Sequence, residues 1–372
     1  MYDCIIIGGG ASGLMLAAQL NISGLIIEKT EKIGAKLLLT GGGRCNITHS
    51  GSVKDFPRAY GEAASFVRRC LYRHNNLDLI NWLQEHGVRT CDEGGRIFPV
   101  SMMARDVRNA FAAEAGRNGW DIRTGSAVTE LVRGDGSWTA VTEAGSYEAK
   151  NIVIATGGIT YPETGSDGSM FAVLEKLGLE ITDLRPALTQ IQVEDYPYAD
   201  LSGISLKGVT VTVYGSDAAT TCKGKSARTT GDLLFTYDGF SGPAVLNVSK
   251  YAEEGEAIRI KYNKTLEELP KRLRKALEDR SRGESGDIRT NKLKALLDED
   301  MFTVSGFDSH GMVTAGGVEL GQVSSATMEA LGYEGLYIIG EALNADGISG
   351  GYNLQLCWST AAAAADAMRA SI

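Results

Sequence analysis

Apolar positions recur along this chain with the periods of both strands and helices. Cys4-Ile5-Ile6-Ile7 is apolar without a polar break, as in a strand buried on both faces. Gly8-Gly9-Gly10-Ala11-Ser12-Gly13 follows at once and predicts a tight turn into a helix over 14–20. A second strand is predicted over 24–29, ending in Glu28-Lys29. Helical spacing returns at 62–72, 76–86 and 101–118, the second stopped by Gly87 and the third capped by Ser101. Residues 94–100 read as a strand or turn. Segments 127–132 (containing Val128), 138–142 and 147–149 predict a small β-meander. Asn151-Ile152-Val153-Ile154 is another buried strand. It runs into Ala155-Thr156-Gly157-Gly158, and a helix over 168–177 closes at Gly178.

Near Leu184 the pattern changes. Alternating segments at 191–193 and 209–213, with a third block at 232–237, read as antiparallel strands. Leu266, Leu269, Leu273 and Leu277 sit at helical spacing in the lysine-rich section after them. From Met312 the first pattern returns: a strand at 336–339, then Gly340-Glu341, then Asp346 and Gly350-Gly351-Tyr352-Asn353-Leu354. An alanine-rich helix over 356–368 follows. The predicted fold is α/β, a Rossmann-type dinucleotide-binding domain in two parts, 1–183 and 309–372. Between them, 184–308 is a mainly antiparallel β insertion with a small helical part at about 264–300.

The first turn has the chemistry to hold a dinucleotide. Gly8, Gly10 and Gly13 have G-x-G-x-x-G spacing: one for the turn, one for close approach of a pyrophosphate, one for helix–strand packing. Free N–H groups and the positive dipole end at the helix start favour phosphates. Glu28, 20 residues after Gly8, is placed for a ribose. A glycine-rich turn in some other α/β domain would explain the turn but not Glu28. Thr40-Gly41-Gly42-Gly43-Arg44-Cys45-Asn46 suits a loop lying against a flat or anionic ligand, Arg44 offering a fork of donors and Asn46 both a donor and an acceptor. The acid Asp346 and the paired glycines that open the last helix suit a polyhydroxyl chain and an electron-rich ring edge, which belong to a flavin rather than to NAD.

The 372 residues are 43% hydrophobic and 22% charged, ordinary for a globular protein with a sizeable core. No apolar run reaches the roughly 18 residues of a membrane helix. The N-terminal apolar residues are committed to the first strand, so no signal peptide is read and a cytoplasmic location is expected. A net charge of −9 argues against broad nucleic-acid binding. The basic stretch Lys271–Lys294 holds nine Lys/Arg against four Asp/Glu and reads as the solvated face of a helix. Six cysteines without a C-x-x-C pair, and four histidines, suggest neither a disulfide framework nor a zinc site.

On the blocks GGGASGL, Glu28-Lys29, TGGGRCN (40–46), ATGG (155–158), GDLLFTYDGFSGP (231–243) and GEALNADGISGGYNLQ (340–355), the chain resembles the aminoacetone oxidase/BaiN-like family of FAD flavoproteins, within the glutathione-reductase-type FAD fold. The blocks span nearly the whole chain. The resemblance implies FAD held tightly and non-covalently. Gly8, Gly10, Gly13 and Glu28 would bind at the ADP end; Arg44, Cys45 and Asn46 would lie near the flavin, and Asp346 at the ribityl chain. Ala11, Ser12, Lys29, Lys36, Gly41, Gly42, Gly43, Val128, Ala155, Thr156, Gly157, Gly158, Gly340 and Glu341 would complete the cofactor site. Gly350, Gly351, Tyr352, Asn353 and Leu354 would lie by the ring. Two positions depart from the family pattern. Thr236-Tyr237 stands where relatives carry Thr-His, and a Tyr, with a reference pKa of about 10, is a poor base. Ser359-Thr360-Ala361 stands where relatives often have a glycine.

Bound FAD implies hydride or electron transfer at its ring. No second strand–G-x-G-x-x-G unit occurs, so either NAD(P)H visits transiently as a donor or the substrate itself reduces the flavin. Family activities comprise oxidation of a small amine and reduction of carbon–carbon double bonds in steroid-like acids. The expected function is an FAD-dependent oxidoreductase acting on a small organic molecule, with no nucleic acid or membrane partner and no oligomeric state assigned. Tyr237, Arg44 and Cys45 are the candidates for catalysis. The alternatives are a tRNA-modifying flavoprotein and a flavin-binding regulator without turnover. Gly347-Ile348-Ser349-Gly350-Gly351 also fits the G-x-S-x-G of a serine hydrolase, but the last histidine, His310, precedes it.

Overall fold

The computed structural model describes residues 1–214, 226–281, 286–308 and 311–371. Cys222, His310 and positions 282–285 of the basic stretch lie outside these. The chain forms two compact units, Met1–Arg185 with Val313–Ile372, and Pro186–Met312.

In the first unit the strands before Lys176 are β1 (Tyr2–Ile7), β2 (Gly24–Ile27), β3 (Thr48–His49), β4 (Thr90–Glu93), β5 (Arg96–Pro99), β6 (Trp120–Arg123), β7 (Val128–Arg133), β8 (Trp138–Thr142) and β9 (Gly145–Ile154), and Val313–Ala315 and Leu336–Ile338 follow the second unit. The helices are α1 (Ala11–Ala17), α2 (Ala35–Leu39), α3 (Ala64–Arg73), α4 (Asn76–Glu85), α5 (Ala104–Arg117), α6 (Ser169–Lys176) and the closing helix Tyr352–Ser371. A seven-stranded sheet runs β6-β2-β1-β9-β8-β7, with the strand Leu336–Ile338 also against β9. β1 lies parallel between β2 and β9, its residues Cys4 to Ile7 all buried, as a run without polar breaks requires. β7, β8 and the start of β9 form the antiparallel meander. β3, β5 and β4 form a separate three-stranded sheet.

Two local expectations are corrected, and one strand is new. The segments 147–149 and 151–154 are one ten-residue strand, because the polar residues between them find partners. Lys150 pairs with Asp3 at 2.9 Å, and the Asn151 amide donates to the Asp3 carbonyl at 3.0 Å. Ser101 does not cap α5, which starts at Ala104 behind Met103 with no side-chain cap. The residues before it form a turn in which Met102 N–H donates to the Pro99 carbonyl at 2.9 Å. β6 carried no recognised signal. It pairs with β2 because Gly24 leaves room for the Trp120 ring; a Cβ there would come within 2.3 Å of the indole.

The second unit is a closed six-stranded barrel of Ile191–Val193, Gly239–Ser241, Ser226–Phe235, Ser205–Tyr214, Ala257–Lys261 and Asp300–Phe307, in that order. Inward residues such as Val211, Val213, Phe235, Ile258, Ile260 and Val304 form its core. The helix Lys271–Arg280 buries Leu273 and Leu277 against it and exposes Lys271, Arg272 and Lys275, the solvated face expected. Arg280 departs from that face: its guanidinium reaches the buried Asp300 carboxylate at 2.7 Å, which also accepts from Tyr198 at 2.5 Å and Tyr262 at 2.8 Å.

Candidate functional site

The carboxyl ends of β1, β9 and the strand Leu336–Ile338 lie side by side, with Ile7 opposite Ile154 and Ile154 opposite Ile338. Each strand runs into one of the glycine segments singled out in the sequence, at Gly8, at Ala155 and at Gly340. In open α/β sheets ligands bind at such ends.

The first turn is tight for two different reasons. Gly8 has φ +104°, and a Cβ on it would meet the Ala155 carbonyl at 2.5 Å. A Cβ on Gly13 would lie 2.1 Å from the Gly8 carbonyl, so α1 packs directly on the strand end. Gly10, between them, is open: the nearest protein atom would lie 4.0 Å from its Cβ. Room for a ligand is therefore left where a pyrophosphate would approach. Glu28 is buried, and its carboxylate accepts from the Gly9 N–H at 2.8 Å and from the Thr30 N–H and hydroxyl at 2.8 Å each. Three of its roughly four lone-pair sites are thus used to fix it beside the turn. Lys29 turns to Asp167 and Ser169 and holds the Asp167 carboxyl below its usual range against the opposing effect of burial.

Lys36, from α2, donates to Thr160 at 2.7 Å and pairs with Glu341 at 2.9 Å. Glu341 also accepts from the Thr314 N–H at 2.8 Å. Arg44 stacks 4.8 Å over the Phe98 ring, with Glu93 at 3.5 Å, and remains about half exposed. Gly42, at φ +67°, has nothing within 4 Å of its Cβ position.

The two most specific motifs interlock. With its amide oriented to satisfy both neighbours, Asn46 accepts from the Gly351 N–H at 3.1 Å and donates to the Thr48 carbonyl at 3.2 Å. Gly351, at φ +95°, abuts Thr48 so closely that a Cβ would lie 2.5 Å from its carbonyl oxygen. Thr48 donates to the buried Gln355 at 2.7 Å. The Asn353 amide donates to the Gly347 carbonyl at 2.9 Å and accepts from the Gly347 N–H at 2.8 Å, which shapes the loop before the closing helix, Tyr352–Ser371. Tyr352 is boxed by three rings: His49 stacked at 5.2 Å, Phe56 and Tyr60 edge-on at 5.1 and 6.2 Å. His49, Phe56, Tyr60 and Gln355 were not among the residues expected at the site. Only Gln355 and His49, in and beside the quoted blocks, carried any signal.

The three catalytic candidates stand in different surroundings. Cys45 is fully buried at φ +61°, and burial pushes its thiol up to about 12, so it packs and does not supply a thiolate. Tyr237 is 78% exposed at the tip of a barrel hairpin in the second unit. There the adjacent Asp238 is fixed by the side-chain amides of Gln190 at 2.5 Å and Gln192 at 2.7 Å. Among the described residues no cluster of His, Cys, Asp and Glu could hold a metal ion, and no helix is long and apolar enough to cross a membrane.

The family model of the HI0933-like protein Rossmann domain matches residues 2–367. The chain belongs to this HI0933-like FAD/Rossmann family. It is 30% identical to the 3-dehydro-bile acid delta(4,6)-reductase of Clostridium scindens, over 95% of this chain and 96% of that protein. It is 31% identical to the ribosomal RNA dihydrouridine synthase of Haemophilus influenzae, over 97% of each. In fold it is similar to the 3-ketosteroid-delta4-(5alpha)-dehydrogenase of Rhodococcus jostii, solved with 4-androstene-3,17-dione (TM-score 0.55, 14% identity, 98% of this chain and 96% of that one). It is also similar in fold to the 3-ketosteroid delta1-dehydrogenase of Sterolibacterium denitrificans (TM-score 0.56, 13% identity, 100% of each chain).

Proposed function

We propose that the protein is an FAD-dependent oxidoreductase that reduces a carbon–carbon double bond conjugated to a carbonyl group in a small organic molecule. The observation that carries the FAD reading is the meeting of separate glycine segments around an open Gly10. Gly8 and Gly13 are filled by protein, Gly10 is free, and Glu28 is fixed beside the turn. These residues fit a dinucleotide. Gly8 to Gly13, with Glu28, would take the ADP half, and Glu341 with Asp346 the ribityl hydroxyls. The Thr40–Asn46 loop and Gly350–Asn353 would flank the ring. Bound there, FAD supplies two-electron transfer.

The substrate class rests on the relatives' chemistry. A 3-oxo-4,6-diene and the 5,6 bond of uracil are both alkenes conjugated to a carbonyl, and both named activities add hydrogen across such a bond. The chain's own residues would orient this planar group and exclude water; the ring box around Tyr352 and the apolar packing of Cys45 suit that role. NAD(P)H, visiting transiently, is the proposed reductant, since the sequence shows no second dinucleotide turn of this kind.

A uracil base in structured RNA is the second reading, favoured by the Haemophilus relative and a like-named Escherichia coli one at 29% identity. The net charge of −9 weighs against it. The test is anaerobic. Photoreduced holoprotein is mixed with 4-androstene-3,17-dione, a 3-oxo-4,6-diene steroid acid, and an rRNA transcript. Reoxidation of the flavin by a steroid, with a product two mass units heavier, supports the first reading. Reoxidation by RNA alone supports the second, and reoxidation by none of the three contradicts both.

A further inference from the structure

His49 stands three residues past Asn46, in β3, and its surroundings fix its position, plane and proton. Its carbonyl accepts from the amide of the buried Asn76 at 2.8 Å, which pins the backbone. Its ring lies on Tyr352 at 5.2 Å and 16°, with Phe56 edge-on at 6.4 Å. Nδ1 accepts from the Gly51 N–H at 3.0 Å. A ring nitrogen that accepts carries no proton, so the neutral imidazole holds its proton on Nε2. Burial favours that neutral form, and Asp92 of β4 opposes it. Among the described residues Nε2 donates to none. A Cβ on Gly350 would lie 3.8 Å from His49 Cδ2, and one on Gly95 2.7 Å from Nε2, so the ring stands between the paired glycines that open the closing helix and the β4–β5 turn, where only glycine leaves room at Nε2.

We propose that His49 is a catalytic hydrogen-bond donor: its Nε2–H binds the carbonyl oxygen of the substrate whose conjugated double bond is reduced. This rests on the substrate class proposed above. Reduced FAD, held by the residues named above, would supply the hydride, two electrons and one proton, that the β-carbon takes. The π electrons move through the conjugated system to the carbonyl oxygen, where Nε2–H stabilises the enolate. Solvent water then gives a proton to the α-carbon, the carbonyl re-forms, and the hydroxide left is neutralised by buffer in bulk solvent. One C=C becomes CH–CH and the cofactor ends oxidised.

The test compares His49→Phe, His49→Gln and His49→Asn as holoproteins. Phe keeps an aromatic face for Tyr352 and removes both nitrogens. Gln places an N–H near the Nε2 position, and Asn reaches only the Nδ1 position. The readout is the dissociation constant of 4-androstene-3,17-dione, from perturbation of the oxidised flavin spectrum, which needs no turnover. We expect FAD content and unfolding midpoint to be retained, binding weakened roughly tenfold in His49→Phe and His49→Asn, and His49→Gln within roughly threefold of wild type. Wild-type binding in His49→Phe overturns the proposal, as does His49→Asn binding more tightly than His49→Gln. Should His49→Phe fail to fold, the Asn/Gln pair decides. A wild-type holoprotein whose spectrum the enone never perturbs, at any concentration it dissolves to, overturns the substrate class instead.

Discussion

The Lys36 ammonium and the Glu341 carboxylate lie 2.9 Å apart, 305 positions from each other in the chain. The pair ties α2 to the turn after the last strand, with Thr160 and the Thr314 N–H completing the polar cluster. Both side chains are about one-fifth exposed, so solvent screens the pair only in part. Lys36→Met leaves the carboxylate without its cation, and urea unfolding should show a loss of about 1–3 kcal/mol. Gel-filtered protein should also retain less FAD.

Glu28 is expected to matter to the empty protein as well as to the ligand. Glu28→Ala removes the acceptor of three hydrogen bonds and leaves the Gly9 N–H unpaired in a buried turn. The expected cost is about 2–3 kcal/mol of stability. Equilibrium dialysis should show FAD affinity reduced by more than the roughly tenfold that a single lost ribose contact would give.

Gly13→Ala tests the packing of the first turn. The added methyl would start 2.1 Å from the Gly8 carbonyl, backbone that cannot move without shifting β1. A loss of about 1–3 kcal/mol is expected, with flavin lost from the purified protein. Gly10→Ala meets no protein atom closer than 4.0 Å and should unfold like wild type while binding FAD poorly. That contrast, read by thermal unfolding and flavin content, separates packing from ligand approach.

The buried thiols set an alkaline limit. Burial pushes Cys45 and Cys70 up from 9.0 to about 12. Between those values the unfolded chain gives up these protons while the folded protein keeps them. Stability should therefore be unaffected by these thiols below about pH 9, then fall by about 1.4 kcal/mol per pH unit for each as pH rises towards 12. Cys45→Ala should flatten that slope by one thiol's share. Ellman titration of the native protein at pH 8 should leave both thiols unmodified.

Much of the first unit was legible because its signals are local. A four-residue apolar run that stops at a glycine turn is too short for a helix and suits an interior strand, and glycines at that spacing suit a tight strand-to-helix turn. The place of Glu28 at the end of the second strand was readable for the same reason, although its three protein hydrogen bonds were not. What escaped depended on partners distant in sequence. β6 needed Gly24 opposite Trp120, β9 needed Asp3 to carry Lys150 and Asn151, and Arg280 left its helix face for Asp300. Ser101 misled because a cap signal says nothing about a competing turn. In the candidate site, the interlock of Asn46 with Gly351 and the stacking of His49 on Tyr352 join residues about 300 positions apart. No spacing rule reaches that far.

The most direct measurement is the visible spectrum of the purified protein, followed by heat release and identification of the bound chromophore. An oxidised flavin spectrum, with close to one FAD released per chain and none released by Gly10→Ala, is the predicted result. A colourless protein that takes up no flavin after incubation with FAD would contradict the account built on Gly8, Gly10, Glu28 and Glu341.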